Sequence, residues 1–204
     1  MEFVCIMQRK SFARQQCPVA RALDCVGEWW SIVILRDAFH GLSRFDEFQE
    51  SLGIASNMLS RRLKALVKSG LLERRVYQRR PTRYAYALTA RGRDFLPVIL
   101  TLVAWGNRYL APDGIAVDVR DRATGKSVDP IVVDSRTLER LTDGTITLAA
   151  GPAAGPAIRA RIERINRLHR DGVTDGKHRQ EGRSARKRPA RQRRQLAGVR
   201  EPLA

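Results

Sequence analysis

The most constraining feature of the sequence lies between Ile54 and Arg93, where an amphipathic helical pattern is followed by a cationic hairpin pattern. Leucine and valine at positions 59, 63, 66 and 67 have the i, i+4, i+7 and i+8 spacing of one helix face. Ser56 is expected to cap this helix, and Gly70 to end it. The opposite face carries polar and cationic side chains, namely Asn57, Arg61, Lys64 and Lys68.

Two strands are predicted after this helix, at residues 71–77 and 84–89, with a turn at residues 78–83 between them. The turn contains Arg79, Arg80 and Arg83 around Pro81, which restricts the backbone. Tyr84 and Tyr86 lie on one face of the second strand and are interpreted as packing residues. A helix followed by a cationic hairpin is the arrangement with which a winged helix-turn-helix holds duplex DNA.

Further helices are predicted on both sides of this segment. Three precede it, ending near Gly27, Gly41 and Gly53; the third is expected to begin with a capping box formed by Ser43 and Asp46. Thr89 is expected to cap one long helix over 90–110, despite Pro97. The apolar surface of this last helix is too wide for one small core, which favours burial against a second copy of the chain. Trp29 and Trp30 are interpreted as core residues.

The net charge of +17 favours polyanionic partners, and nucleic acid above all. The charge is uneven, because residues 158–204 contain 15 lysines and arginines against 5 acidic residues. The longest apolar run is far shorter than a membrane span, so we expect no membrane association. The three cysteines, Cys5, Cys17 and Cys25, form no zinc or disulfide pattern.

These patterns predict a mainly α fold with a small β wing, a winged helix-turn-helix, followed by a small β-like extension and a disordered basic tail. The expected parts are a flexible arm at 1–16, a DNA-binding and dimerisation domain at 17–111, a β-like extension at 112–157 and a basic tail at 158–204. A short helix is predicted at 158–169, and the strongly cationic, disordered part is predicted from about Arg170 onward.

Three segments resemble the HxlR-type winged helix-turn-helix regulators: CPVARALDCVGEWWSIVILRDAFHGLSRFDEFQ, IASNMLSRRLKALVKSGLLERR and YQRRPTRYAYALTARG. The resemblance covers about residues 15–110 and implies a homodimer on a palindromic operator. Some members of this family have a C-terminal extension that looks like a small zinc ribbon with two Cys-x-x-Cys knuckles. Here the corresponding positions read Ala123-Thr124-Gly125 and Asp134-Ser135-Arg136, without cysteine, so no metal or other cofactor is expected.

The candidate DNA-binding residues come from the predicted fourth helix and the wing. An exposed helix face with hydrogen-bond donors suits the major groove, and wing cations suit phosphates or the minor groove. The alternative interpretation of the helix is an ordinary solvated charged face, and that of the wing a solubilising hairpin tip. The predicted contacts are Ser56, Asn57, Ser60, Arg61, Lys64, Arg79, Arg80 and Arg83.

Cys17 is the candidate redox-sensing residue. It lies just before the first predicted helix, where the helix dipole favours a thiolate. Several HxlR-type regulators respond to oxidants or electrophiles through a cysteine at this kind of position, so the resemblance implies the same chemistry here. The alternative is a small residue at a helix start with no redox role, and the sequence leaves both open.

We therefore expect a cytoplasmic, nucleoid-associated transcriptional regulator, a homodimeric repressor, and not an enzyme, because no phosphate loop or nucleophile motif occurs. Its expected partner is double-stranded DNA, and the sequence does not identify a small-molecule effector. The main alternative is a nucleoid-type architectural protein whose DNA affinity is dominated by the basic tail. A protein-interaction module whose wing contacts another protein is a third reading.

Overall fold

The computed structural model describes residues 11–170, which form helices and one two-stranded sheet. The chain divides into two compact units between Ile146 and Thr147. The described elements are α1 (Pro18–Val26), α2 (Trp29–Phe39), α3 (Phe45–Leu52), α4 (Ser56–Lys68), β1 (Leu72–Arg79), β2 (Thr82–Leu88), α5 (Ala90–Arg93), α6 (Leu96–Tyr109) and α7 (Pro156–Arg170).

The core lies between the first four helices and the base of the hairpin. Its largest fully buried side chains are Phe48, Ile34, Leu35, Leu59, Leu63, Leu66 and Leu72. The predicted apolar face of α4 is therefore confirmed. Trp30 packs against this core as expected, but Trp29 is 76% exposed, so its prediction as a core residue was wrong. Trp29 is the first residue of α2 and lies against the ring of Trp30, with a centroid distance of 5.7 Å.

Helix α3 begins one residue later than predicted, and its cap uses a different carboxylate. The Oε2 atom of Glu47 accepts hydrogen bonds from the backbone N–H groups of Ser43 and Arg44, both at 2.8 Å. Arg44, rather than Ser43, is the N-cap residue. The expected pair of Ser43 and Asp46 was wrong because Glu47 stands at the third helical position, from which its longer side chain reaches back to these amides.

The hairpin has longer strands and a shorter turn than the sequence pattern predicts. Strands β1 and β2 pair antiparallel from Leu72 opposite Leu88 to Arg79 opposite Thr82, with a bulge between Val76 and Gln78. Only two residues, 80 and 81, therefore connect the strands, where a turn of six was predicted. The bulge adds local twist to the ribbon just before its tip.

Thr89 caps a helix as predicted, since its hydroxyl accepts a hydrogen bond from the Gly92 N–H at 3.0 Å. The expected single helix over 90–110 was wrong, because the chain forms the short helix α5 and then α6. Pro97 lies in the first turn of α6, where backbone N–H groups have no acceptor within the helix, so the missing N–H of proline costs no hydrogen bond. In the interior of one long helix, proline would remove a backbone hydrogen bond and break the helix.

Gly92 is required where α5 crosses the start of the hairpin. A Cβ atom at this position would lie 2.1 Å from the carbonyl oxygen of Leu71, which is backbone and cannot simply rotate away. The same Leu71 carbonyl accepts a hydrogen bond from the Thr89 N–H at 3.1 Å. Helix α5 therefore holds the junction between α4 and β1.

Residues 112–146, which belong to the predicted β-like extension, contain isolated bridges at Arg120 with Ser127 and at Val133 with Arg140. In the second unit, the helix predicted at 158–169 is confirmed within α7. The cationic tail predicted beyond Arg170, and residues 1–10 of the predicted arm, lie outside the described residues. Among the helices of residues 11–170, none is both long and apolar enough to cross a membrane.

Candidate nucleic-acid interface

The outward face of α4 presents an uninterrupted set of polar donors. Asn57, Arg61 and Lys64 are exposed, while Ser60 beside them is half-buried. Within residues 11–170, no carboxylate pairs with the cations of this face. Since an ion pair would have to be broken before these side chains could reach a phosphate or a base, the face is ready to bind an anion.

Ser56 is exposed and connects the two helices of the helix-turn-helix. Its hydroxyl oxygen accepts a hydrogen bond from the side-chain Nε2 of Gln49 in α3 at 2.9 Å. Its predicted role as N-cap was wrong, because Ala55 holds that position and no side chain caps α4. Ser56 is instead the first helical residue, at the end of α4 where backbone N–H groups point outward.

Two contacts that the sequence did not indicate fix α4 and α3 against α2. Arg62 forms a half-buried ion pair with Glu28, at 2.9 Å, and therefore does not belong to the outward face. The buried carboxylate of Asp37 in α2 accepts a hydrogen bond from the Ser51 hydroxyl of α3 at 2.7 Å. Neither pair has a signal in the sequence, since each joins residues more than ten positions apart.

The tip of the wing directs three arginines into solvent. Arg79, Arg80 and Arg83 are all exposed, and none has an ion-pair partner within residues 11–170. The backbone of the tip is held by two side chains: the amide of Gln78 donates to the Arg80 carbonyl at 3.0 Å, and the hydroxyl of Thr82 donates to the Arg79 carbonyl at 3.1 Å. The tip is thus fixed while its cations remain available.

The wing is attached to the helix-turn-helix along its length. The Tyr86 N–H donates to the Ser43 carbonyl just before α3 at 2.7 Å, and the Arg44 guanidinium lies 4.8 Å from the ring centre of Tyr77. Tyr86 packs against the core as predicted, and its burial raises the pKa of its hydroxyl. The Arg74 guanidinium lies 4.0 Å from the centre of the Tyr84 ring and covers one face of it.

Cys17 is the N-cap residue of α1 and is half-buried. Its carbonyl accepts a hydrogen bond from the Arg21 N–H at 3.1 Å, which starts the helix. Cys25, in the last turn of α1, packs against the core. The two cysteines therefore differ in environment, one at a helix start and one against the apolar interior.

The described surface combines a helix of suitable chemistry for the major groove with a cationic hairpin beside it, which defines the class of winged helix-turn-helix DNA-binding proteins. Comparison with known proteins gives the same class. Residues 25–114 match the model of the HxlR-like helix-turn-helix family. An HTH-type transcriptional regulator of Mycobacterium tuberculosis is 39% identical over 145 residues, which are 71% of this chain and 89% of that protein.

Two solved structures of candidate transcription factors are also similar. One, from Pseudomonas aeruginosa, is 50% identical with a TM-score of 0.53, covering 71% of this chain and 99% of that one. The other is 37% identical with a TM-score of 0.64, covering 70% of this chain and 100% of that one. The chain belongs to the HxlR-like helix-turn-helix family of DNA-binding transcriptional regulators.

Proposed function

We propose that the protein is a sequence-specific repressor that binds a palindromic operator as a homodimer in the cytoplasm, on the nucleoid. The observation that carries this proposal is the exposed set of donors on α4, whose cations have no carboxylate partner within residues 11–170, together with the three arginines at the wing tip. Asn57 has the geometry to read adenine and Arg61 to read guanine. Ser56, Ser60 and Lys64 flank them, and the wing arginines hold the DNA backbone.

The dimer is supported by an unburied apolar stripe on α6. Val98, Leu102, Trp105 and Tyr109 follow the i, i+4, i+7, i+11 spacing of one helix face, and all four are exposed; Trp105 is 54% exposed. Val19 of α1 is also exposed, at 67%. Burial of such a stripe in a symmetric interface would place two α4 helices in one molecule, with half-sites about one helical turn of DNA apart.

Operator binding is tested with the DNA upstream of the protein's own gene, in a gel shift at moderate salt against a scrambled fragment of equal length. The proposal expects clearly tighter binding to the upstream fragment. Arg61→Ala should relax the sequence preference, whereas Arg80→Ala should weaken binding to all sequences by a similar factor. Equal binding of both fragments by the wild-type protein would refute sequence-specific regulation.

The dimer is tested by light scattering with Leu102→Glu/Trp105→Glu. Two charges in the apolar stripe should convert the dimer to a monomer and weaken operator binding by about 30-fold or more, since loss of one interface hot spot, such as a buried tryptophan, costs about 2 kcal/mol or more. Ala90→Glu adds an acidic residue at an exposed position of α5 and is the matched control. A variant that keeps the dimer mass would place the interface elsewhere.

Cys17 is proposed as the sensor of oxidants or electrophiles. Its support is its place at the start of α1, the helix that also exposes Val19 and Leu23, so that a modification there would alter the proposed dimer surface. Operator affinity is measured with and without diamide in the wild type and in Cys17→Ser. Only the wild type should respond, and equal responses would remove Cys17 from the mechanism.

The second candidate function is an architectural DNA-binding protein in which the C-terminal region supplies most of the affinity. Helix α7 favours it, because five arginines alternate there with a half-buried row of isoleucines, and only one acidic residue, Glu163, accompanies them. Deletion of 158–204 separates the two functions. Nearly complete loss of affinity supports the architectural protein, while retained operator preference supports the regulator.

A further inference from the structure

Residues 119–141 contain an internal repeat that the residue types alone do not reveal. Two six-residue turns, here called knuckle 1 (121–126, DRATGK) and knuckle 2 (134–139, DSRTLE), have the same backbone hydrogen bonds. In each, the N–H of the first residue donates to the carbonyl of the sixth at 2.9 Å, and the N–H of the fifth donates to the carbonyl of the first at 2.8 Å. An isolated bridge between the residues flanking each turn completes the match.

The backbone conformation repeats as well as the hydrogen bonds. The fifth residue of each knuckle has a positive φ, 66° at Gly125 and 58° at Leu138. A leucine rarely adopts this region, because its side chain then crowds the following carbonyl. Knuckle 2 therefore keeps the shape of knuckle 1 against the preference of its own residue, which indicates that other groups in the turn impose the shape.

Those groups are an aspartate at the first position and a threonine at the fourth. In knuckle 1, Asp121 Oδ1 accepts hydrogen bonds from the Thr124 N–H and from the Thr124 hydroxyl, both at 2.7 Å. In knuckle 2, Asp134 Oδ1 accepts from the N–H groups of Arg136, at 2.8 Å, and Thr137, at 3.1 Å. Each threonine hydroxyl also accepts from the N–H of the sixth residue, at 3.4 and 3.3 Å.

The spacing of these residues is that of a zinc knuckle, in which cysteines stand at the first and fourth positions of each turn. Aspartate and threonine stand at those positions in both turns. A threonine hydroxyl is not among the usual zinc ligands, and the aspartate oxygens already accept hydrogen bonds within the turn. Among residues 11–170, no three side chains of histidine, cysteine, aspartate or glutamate converge as a metal site requires. The residues present therefore do not fit a zinc ion.

We infer that residues 119–141 form a metal-free ribbon, in which aspartate–threonine hydrogen bonds close the two knuckles in place of metal ligands. The positions that replace ligands are Asp121, Thr124, Asp134 and Thr137. The family resemblance places the start of the first knuckle at Ala123, two residues after Asp121, where the structure has it. Without cysteines to mark the ligand positions, only the hydrogen bonds define where the turn begins. The extension contains no thiol, so any response of the protein to thiol oxidants must come from its N-terminal cysteines.

The inference is tested on the full chain by limited trypsin digestion, because Arg122, Lys126 and Arg136 lie inside the knuckles and report their opening. Addition of EDTA or 1,10-phenanthroline should change cleavage at these sites by less than about twofold. Asp121→Ala/Asp134→Ala should raise it by about tenfold or more, since each turn loses hydrogen bonds to a charged acceptor and opens more often.

Asp113→Ala/Asp143→Ala is the matched control, since it removes the same charge from exposed positions of the same segment outside the knuckles. Asp121→Asn/Asp134→Asn keeps an acceptor at each site and should give a smaller increase than the alanine pair. The metal content of the purified protein should be far below one ion per chain. One bound zinc per chain whose removal accelerates cleavage, or an alanine pair cleaved at the control rate, would overturn the inference.

Discussion

Replacing the three arginines of the wing tip by glutamine should lower the salt dependence of DNA binding without changing the preferred sequence. Arg79, Arg80 and Arg83 are exposed and have no ion-pair partner within the described residues, so the whole of their charge is available to DNA. The tip backbone is held by Gln78 and Thr82 through their own side chains, so the substitutions should leave the hairpin in place.

The magnitude follows from the number of cations. The proposed dimer has two wings, hence six such guanidinium groups, and each phosphate that is neutralised adds about 0.9 to the slope of log K against log salt. If all six touch phosphates, the slope should become shallower by about 5. For each guanidinium removed, the loss of affinity should be about eightfold larger at 0.1 M salt than at 1 M salt.

The assay is fluorescence anisotropy with an operator fragment and a scrambled fragment over a range of salt concentrations. Arg122→Gln/Lys126→Gln/Arg140→Gln removes the same charge from the extension, and its slope should stay within about 1 of the wild type. A wing variant whose slope equals that of this control would refute the proposed backbone contacts. A change in the preferred sequence would instead mean that the wing reads bases.

Three further predictions concern the frame that positions the interface, and each is measured by thermal or denaturant unfolding of the full chain. Gly92→Ala should destabilise the protein by about 2–3 kcal/mol, because a Cβ there meets the Leu71 carbonyl. Gly106→Ala has open space around it and should stabilise α6 by about 0.5–1 kcal/mol. Equal effects of the two substitutions would contradict the close approach at Gly92. Ser51→Ala should cost about 1–2 kcal/mol, because the buried Asp37 carboxylate loses a hydrogen-bond donor, and a neutral result would mean that this hydrogen bond does not hold α3. Glu47→Ala should cost about 1 kcal/mol near neutral pH. That cost should shrink in acid, because the backbone amides of Arg44 and Ser43 hold the pKa of Glu47 below its ordinary value. The contribution of Glu47 to stability is therefore fully present above its ordinary pKa and is lost as the pH falls through the lowered pKa. A cost that does not change with pH would contradict this cap.

The parts of the fold that follow a regular period could be predicted from the sequence. The stripe of α4, with Leu59, Leu63 and Leu66 buried, follows from helical spacing alone, and so does the exposure of Arg61 opposite it. Thr89 and Pro18 lie at helix starts, as their local chemistry requires. In these places the residues that determine the local structure all lie within one short stretch of sequence.

Other features depend on residues that are distant in the chain, and the sequence did not indicate them. Arg62 lies in the same helix as Arg61 and Lys64, but its ion pair with Glu28 turns it towards the start of α2. Trp29 looked like a core residue, but a helix start can direct its first side chain away from the core. The break before α6 was missed because Pro97 fits equally well in a kinked helix and in the first turn of a new one.

The candidate interface divides in the same way. The sequence indicated which residue types would bind DNA, and the structure exposes seven of those eight side chains, with Ser60 half-buried. The sequence did not indicate how the wing is held to the helix-turn-helix, since the hydrogen bond from Tyr86 to Ser43 joins backbone atoms of two separate segments. Backbone pairing between distant segments leaves little trace in residue type.

The central claim, that α4 reads the operator sequence, is tested most directly by measuring binding to every single base-pair substitution of the operator, for the wild type and for Arg61→Ala. The wild type should prefer the operator over unrelated DNA by about 10³-fold or more. Arg61→Ala should lose discrimination, by about tenfold or more, at one base pair in each half-site and keep it elsewhere. A uniform loss at all positions, or an unchanged profile, would contradict the claim.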